Sequence, residues 1–110
     1  MFLTDLVVKV VDGGYMLTEP LEYQDGIKIH VVPAGFITNF ASIPRPARIL
    51  ITGHGRERLA ATMHDYLYFI QYNRREADRL FLQAMKDSGV NWFLRHAMHK
   101  AVRVGGWAFH

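Results

Sequence analysis

Two amphipathic helical segments joined by a very short connection constrain the fold of this chain more than any other feature. Asn73 is placed to cap the second segment, because Glu76 follows three positions later and completes a capping-box pattern. A connection of so few residues favours antiparallel packing, so the chain is predicted to contain a helix hairpin. The first segment repeats apolar residues at helical spacing, at Leu59, Met63, Tyr66, Leu67 and Ile70.

A third helix is predicted to follow the hairpin. Gly89 stands where the second helix should stop, and Asn91 is placed to cap the third. The third helix is expected to end at Gly105-Gly106. Its periodicity divides it into an inward set, Leu94, Met98, Ala101 and Val102, and an outward set, Arg95, His99 and Arg103.

The N-terminal part of the chain has the pattern of short strands. Turn sequences at Asp12-Gly13-Gly14 and Gln24-Asp25-Gly26 separate extended runs, and Pro20 marks a bend or an edge. His30 falls on a polar position of an alternating run and is expected to be half-exposed. We therefore expect a small antiparallel meander, built from Leu6–Val11, Tyr15–Tyr23, Ile27–Val32 and a short piece at residues 36–38.

Strands first and helices after predict a single α+β domain over residues 1–110. The strands occupy about 6–38, a connector 39–55 and the helices about 56–105, with the helices covering one face of the sheet. Pro44 and Pro46 exclude a regular helix across the connector. A chain of 110 residues can bury a hydrophobic core that needs no disulfide or metal cross-links. The absence of cysteine excludes disulfides and thiolate metal sites.

Charge and hydropathy exclude several classes of function. The net charge of +3 is dispersed over four basic clusters instead of one run, so nucleic-acid binding is not expected. No stretch reaches the roughly 20 apolar residues that span a bilayer. The first residues, Met1–Leu6, lack the basic leader of a signal peptide, and Asp5 interrupts their apolar run.

The hairpin brings one imidazole and one carboxylate to the same level. His64 lies eight residues before Tyr72 in the joint and Asp78 lies six after it. At a rise of about 1.5 Å per residue, these levels differ by only about 3 Å along the helix axis. We expect His64 to face Asp78 across the groove between the two helices.

Such a pair is open to several interpretations. A carboxylate fixes the tautomer of the histidine and raises its basicity, so His64 and Asp78 could form a catalytic pair that activates water. Asp65 could bind a divalent cation, with calcium or zinc as the candidates. The alternative is a purely structural contact between packed helices, in which Tyr68, Arg75 or Arg79 satisfies Asp78.

Three blocks of the sequence resemble the DUF1353 family, small proteins of unknown function found in phages, prophages and bacteria. The resemblance implies a phage or prophage origin and a place in the virion or the host cytoplasm. The family usually has an aspartate where this chain has Asn39; if that aspartate is a metal ligand or an acid, Asn39 keeps an oxygen ligand without the charge, and this member is weakened or inactive. Ser42 and Arg45 of the same block are expected to support the site. The blocks are residues 32–45, Met63–Tyr68 and Arg75–Phe81.

A more local resemblance is to secreted phospholipase A2 enzymes. Their active-site helix contains His-Asp-x-x-Tyr, and an antiparallel helix supplies a second aspartate. His64, Asp65, Tyr68 and Asp78 match that outline. The resemblance implies a histidine that activates water, an adjacent aspartate that binds calcium and a distant aspartate that orients the histidine. The disulfides that brace those enzymes are absent from this chain.

Three functions follow as expectations. The first is a phage structural or assembly protein of the tail, the baseplate or the late lysis functions, which associates with other phage proteins or with itself. The second is a small metal-assisted hydrolase of the bacterial envelope that acts on lipid esters or peptidoglycan. The third is a binder or inhibitor of a host protein.

Overall fold

The computed structural model describes the backbone of residues 1–39 and 56–109 and the side chains of residues 1–39 and 56–104. Most of the predicted connector, including Ser42, Arg45 and both of its prolines, lies outside the described residues. The elements follow the predicted order of strands first and helices after, so the fold is α+β. They are β1 (Val8–Val11), β2 (Gly14–Leu17), β3 (Leu21–Asp25), β4 (Lys28–Val32), β5 (Ile37–Thr38), α1 (Arg56–Phe69), α2 (Arg74–Asp87) and α3 (Trp92–Phe109).

The meander is divided into two small antiparallel sheets. β1, β2 and β5 form one sheet, in which Val8 pairs with Leu17 and Tyr15 with Thr38. β3 and β4 form the other. The single extended run predicted between Tyr15 and Tyr23 is interrupted by a bend before Leu21, because a proline cannot continue a strand in a regular ladder.

The burial of β4 is the reverse of the sequence expectation. His30 is 8% exposed instead of half-exposed, whereas its apolar neighbours Ile29 and Val31 are 48% and 47% exposed. The cause is the register with β3, which places His30 opposite the buried Tyr23. Directly paired residues of antiparallel strands point to the same face, so the side chain of His30 must follow that of Tyr23 into the core.

The helix hairpin forms as predicted. The chain leaves α1 through Gln71, which has a positive φ of 57°, and the Tyr72 amide donates to the Leu67 carbonyl over 2.9 Å. Asn73 caps α2, since its side-chain oxygen accepts the Glu76 amide at 2.9 Å. This cap satisfies one of the backbone donors that a helix start leaves unpaired.

The third helix begins where the sequence indicates and ends later. Asn91 caps it by accepting the Leu94 amide at 2.8 Å, and Gly89 ends α2 with a φ of 82°. The predicted stop at Gly105-Gly106 is wrong, because α3 continues to Phe109. Glycine inside a helix costs about 1 kcal/mol relative to alanine, which weakens a helix without terminating it.

The three helices pack in chain order, with the first of them on the strands. α1 packs against β3, β4 and β5 on one side and against α2 on the other, and α3 packs on α2. The core runs through all these contacts and includes Leu21, Tyr23, Met63, Leu80, Phe81 and Met98. None of the described helices is both long and apolar enough to cross a membrane. The interior faces of α1 and α2 therefore meet near the centre of the described fold, where the candidate site lies.

Candidate functional site

His64 and Asp78 face each other across the helix hairpin, as the helix geometry predicted. The Nε2 atom of His64 lies 2.6 Å from the Oδ1 atom of Asp78. The two side chains are 2% and 0% exposed. A charged carboxylate so deeply buried needs hydrogen-bond partners, so this pair is a central polar feature of the core.

Small residues allow the two helices to approach closely at this point. Ala61 precedes His64 by one turn of α1, and Ala77 adjoins Asp78 in α2; both are fully buried. The imidazole packs between two aromatic rings, with centroid distances of 4.3 Å to Tyr68 and 4.7 Å to Phe81. These rings restrict the imidazole to an orientation that points Nε2 at the acid.

Tyr68 completes the contact from one turn further along α1. Its hydroxyl donates to the same Oδ1 atom of Asp78 over 2.6 Å. Burial, followed by the hydrogen bond to Asp78, raises the pKa of the Tyr68 phenol well above its usual value. The phenol therefore keeps its proton and acts only as a donor toward the carboxylate. This is the supporting role that the sequence assigned to Tyr68.

The arginine that contacts Asp78 was not the one expected. Arg103 of α3 donates from Nη1 to Asp78 Oδ2 over 2.9 Å, although the periodicity placed it on the outward face. Arg75, the predicted supporting residue, is exposed. α3 contains no acidic residue, so an acid that pairs with one of its arginines must lie on another element, and this was the available signal.

Arg79 also flanks Asp78 in sequence but contacts other acids. Its Nη2 atom donates to Asp25 Oδ2 over 2.8 Å, and its guanidinium also pairs with Glu76. The side chain therefore connects α2 to the end of β3 at the surface. The partners of Asp78 among the described residues come from α1 and α3.

Asp78 keeps its negative charge despite its position in the core. Burial alone would raise the pKa of its carboxyl group. The hydrogen bonds from His64, Tyr68 and Arg103 outweigh burial and hold the pKa below its ordinary value. An ionised carboxylate only accepts hydrogen bonds, so the proton of the neutral imidazole resides on Nε2 and Nδ1 is the basic nitrogen.

Asp65 points away from this pair toward the sheet. Its Oδ2 atom accepts the hydroxyl of Thr38 in β5 over 2.7 Å. Asn39, the second predicted metal ligand, follows Thr38 and is exposed. Consecutive helical residues diverge by about 100°, so His64 and Asp65 face different elements. Thr38 was not singled out from the sequence, although its place beside the expected ligand Asn39 gave a local hint.

The described donors do not form a cation site by themselves. Within residues 1–39 and 56–104, no group of three or more histidine and acidic side chains is placed to hold a metal ion. Asp65 supplies a single carboxylate there. Calcium requires six to eight oxygen ligands and zinc four ligands in all, so the described side chains alone do not complete a site for either ion.

Another histidine lies beside the site. His99 of α3 is half-buried instead of fully outward. Burial lowers the pKa of its imidazole, and the nearby charge of Asp78 opposes that shift only in part. His96, one turn earlier, packs against Trp92 with ring centroids 4.7 Å apart.

Comparison with known proteins yields one match. No curated protein and no solved structure matches the chain. The match is to the family described as Protein of unknown function (DUF1353), and it covers residues 15–102. That range includes β2 from Tyr15 onward, all of β3 to β5, α1 and α2, and two of the three partners of Asp78, His64 and Tyr68. The third partner, Arg103, lies one residue beyond the range. The resemblance seen in the sequence is therefore confirmed, and the chain belongs to the DUF1353 family.

Proposed function

We propose that this protein is a small hydrolase of lipid carboxylic esters, in which His64 is the general base and Asp78 orients it. The observation that supports the proposal is the 2.6 Å contact between His64 Nε2 and Asp78 Oδ1, with Tyr68 on the same oxygen. These residues match the His-Asp-x-x-Y pattern and the distant aspartate of phospholipase A2 enzymes. That likeness is local and rests on the site alone.

The chemistry needs one basic nitrogen and one water molecule. His64 Nδ1 takes a proton from water, and the water oxygen forms a bond to the ester carbonyl carbon. The tetrahedral intermediate then collapses and breaks the bond between the acyl carbon and the leaving oxygen. The imidazolium returns the proton to that oxygen, so the products are a carboxylic acid and an alcohol.

Asp78 serves this reaction by holding the imidazole. It fixes the proton on Nε2 and stabilises the imidazolium that forms during attack. Arg103 and Tyr68 bind the carboxylate in turn and restrict its rotation.

The surroundings of His64 favour an apolar substrate. The imidazole packs between the rings of Tyr68 and Phe81, and the neighbouring Met63 and Leu67 are buried. A peptidoglycan strand needs many hydrogen-bonding groups in its site, whereas an acyl chain needs apolar walls. Lipid esters are therefore the substrate class that we propose.

The test is hydrolysis of dispersed phospholipid and of a soluble short-chain ester by the purified protein. His64→Gln should lower kcat by at least about 100-fold, since general-base catalysis contributes roughly 10²–10⁴-fold. His96→Gln is the matched control, because it removes an imidazole from α3 without touching Asp78, and it should retain activity. A wild-type protein that releases acid from neither substrate contradicts the proposal.

A second candidate, a phage tail or baseplate assembly protein, is favoured by the outer face of β4. Ile29 and Val31 are exposed there, and Ile27 in the turn before β4 is fully exposed. Exposed apolar side chains on a small sheet suit burial against another virion protein. Mass spectrometry of purified phage particles tests this candidate, and stoichiometric recovery of the protein would support it. Recovery from the host cytoplasm alone would contradict it.

A further inference from the structure

The outer side of α3 has an exposed stripe that the core does not use. Phe93 and Val104 on it are 70% and 65% exposed. Helical spacing of i, i+4, i+7 and i+11 aligns such residues on one side, and the buried Leu94 and Met98 lie on a different side of the helix. The outer side of a packed helix is normally polar, so large apolar groups there call for a partner. We define the outer stripe as Phe93, Ala97, Lys100 and Val104.

An exposed tryptophan adjoins the beginning of the outer stripe. Trp92 is 64% exposed and contacts the imidazole of His96. Trp92 and Phe93 together place two large aromatic rings in the first turn of α3. Tryptophan is enriched at the boundary between lipid and water, because its ring is apolar and its N–H still finds a hydrogen-bond partner there.

The charge around the outer stripe has one sign. From Ser88 to the end of the sequence there are three Lys and Arg residues and no Asp or Glu. Arg103 is paired with Asp78, and Arg95 donates to the Val90 carbonyl, whereas Lys100 is exposed on the stripe itself. A helix face with an exposed lysine and exposed aromatic residues, on a helix without acidic residues, is complementary to a negatively charged lipid surface.

We propose that the outer stripe docks this protein on the surface of anionic phospholipid bilayers. α3 lies along the surface, Trp92 and Phe93 enter the interfacial layer, and Lys100 pairs with lipid phosphates. The inference is independent of the chemistry proposed for His64. A second copy of the chain is a poorer occupant, because antiparallel pairing of two stripes would bury Lys100 without an acid to pair with it.

The electrostatic part of the proposal is tested with vesicles of phosphatidylglycerol mixed with phosphatidylcholine, against phosphatidylcholine alone. The wild-type protein should co-sediment with the anionic vesicles and dissociate as salt is added. Lys100→Glu should weaken binding by about tenfold or more. Lys9→Glu changes the net charge equally on the exposed surface of β1, and its binding should remain within about twofold of wild type. Equal losses in both variants would overturn the proposal.

The apolar part is tested with Phe93→Ser, whose exposed position should leave the fold intact. It should weaken vesicle binding by about tenfold, whereas Ile27→Ser, which removes an exposed apolar side chain from the turn before β4, should not. The variant Trp107→Phe leaves Trp92 as the one tryptophan of the sequence. In this variant, anionic vesicles should shift the fluorescence emission of Trp92 to shorter wavelength. Absence of vesicle binding by the wild type overturns the proposal. So does a stable dimer in light scattering that Phe93→Ser abolishes, because the stripe is then a protein interface.

Discussion

At the scale of single residues, Asp78 receives hydrogen bonds from residues on two other parts of the fold. His64 and Tyr68 approach from α1, and Arg103 approaches from α3. A buried acid with such partners fixes the relative positions of the three helices. Its removal takes the carboxylate away from two donors and one positive charge, and that penalty exceeds the ordinary value of a hydrogen bond.

Asp78→Asn should therefore lower the free energy of unfolding by about 3 kcal/mol. The substitution preserves shape and removes only the charge that Arg103 and His64 require. Arg75→Gln is the control, because Arg75 is an exposed residue of the same helix, and its effect should stay within about 0.5 kcal/mol. Urea denaturation followed by circular dichroism measures both. Equal stability of Asp78→Asn and wild type would show that the pair contributes nothing to folding.

The Tyr68 hydroxyl can be tested with a matched pair of tyrosines. Tyr68→Phe removes the donor to Asp78 and should cost about 1.5 kcal/mol, the usual range for hydrogen bonds to a charged group. Tyr66 lies on the same helix, and its contacts with Phe36 and Phe69 are between rings. Tyr66→Phe keeps those contacts and should change stability by less than about 0.5 kcal/mol. A larger loss for Tyr66→Phe would contradict this assignment of the hydroxyl.

At the scale of elements, Gly14 controls how closely β2 approaches β5. It has a φ of 145°, and a Cβ built on it would collide with the carbonyl oxygen of Thr38. Thr38 in turn donates to Asp65, so the approach of the two strands also positions that carboxylate. The turn glycine Gly26 has a φ of 62°, and a Cβ on it would meet no atom within 4 Å.

Gly14→Ala should consequently destabilise the fold by about 2–3 kcal/mol, and Gly26→Ala by only about 1 kcal/mol. Both substitutions strain the backbone, so the difference between them isolates the collision with Thr38. Thermal unfolding of the two variants measures that difference. If both variants lose the same amount of unfolding free energy, β5 can move away from the new methyl group without destabilising the fold. In that case β5 does not fix the position of Asp65.

Local chemistry explains which elements could be predicted from the sequence. The caps at Asn73 and Asn91 and the stop at Gly89 depend on neighbouring residues alone, and all three are confirmed. The inward face of β4 depends on pairing with β3, which no residue of β4 encodes. His30 was therefore placed wrongly although the strand itself was placed correctly.

At the scale of the whole molecule, one contact of Asp78 follows from local helix geometry and another from tertiary packing. The meeting of His64 and Asp78 follows from helix rise across one short connection, and the sequence predicts it. The contact from Arg103 depends on how α3 packs on α2, and it joins residues that are 25 positions apart in the sequence. Tertiary packing of this kind overrides the outward position that helical periodicity gave to Arg103.

Packing of the whole molecule also sets its response to acid. Burial lowers the pKa of the imidazoles of His30 and His99, so the folded state prefers their neutral forms. For Asp78 and Asp87, burial alone would raise the pKa. Hydrogen bonds, first from His64 to Asp78 and from Tyr23 to Asp87, reverse that effect and hold the pKa below the ordinary value. In all four groups the unfolded chain takes up protons more readily than the folded chain.

The free energy of unfolding should accordingly decrease in two stages as the pH is lowered. The unfolded histidines protonate near pH ~6.5, so the contribution of His30 and His99 is complete above that value and is lost as the pH falls through their lower folded pKa. The contribution of Asp78 and Asp87 is complete above about pH 4 and is lost below it. Urea denaturation at about pH 7.5, 5 and 3.5 measures both stages. His30→Gln should reduce the first stage and leave the second unchanged, whereas Asp78→Asn should reduce the second. A free energy of unfolding that rises between pH ~7.5 and ~5 would contradict the burial of neutral histidines.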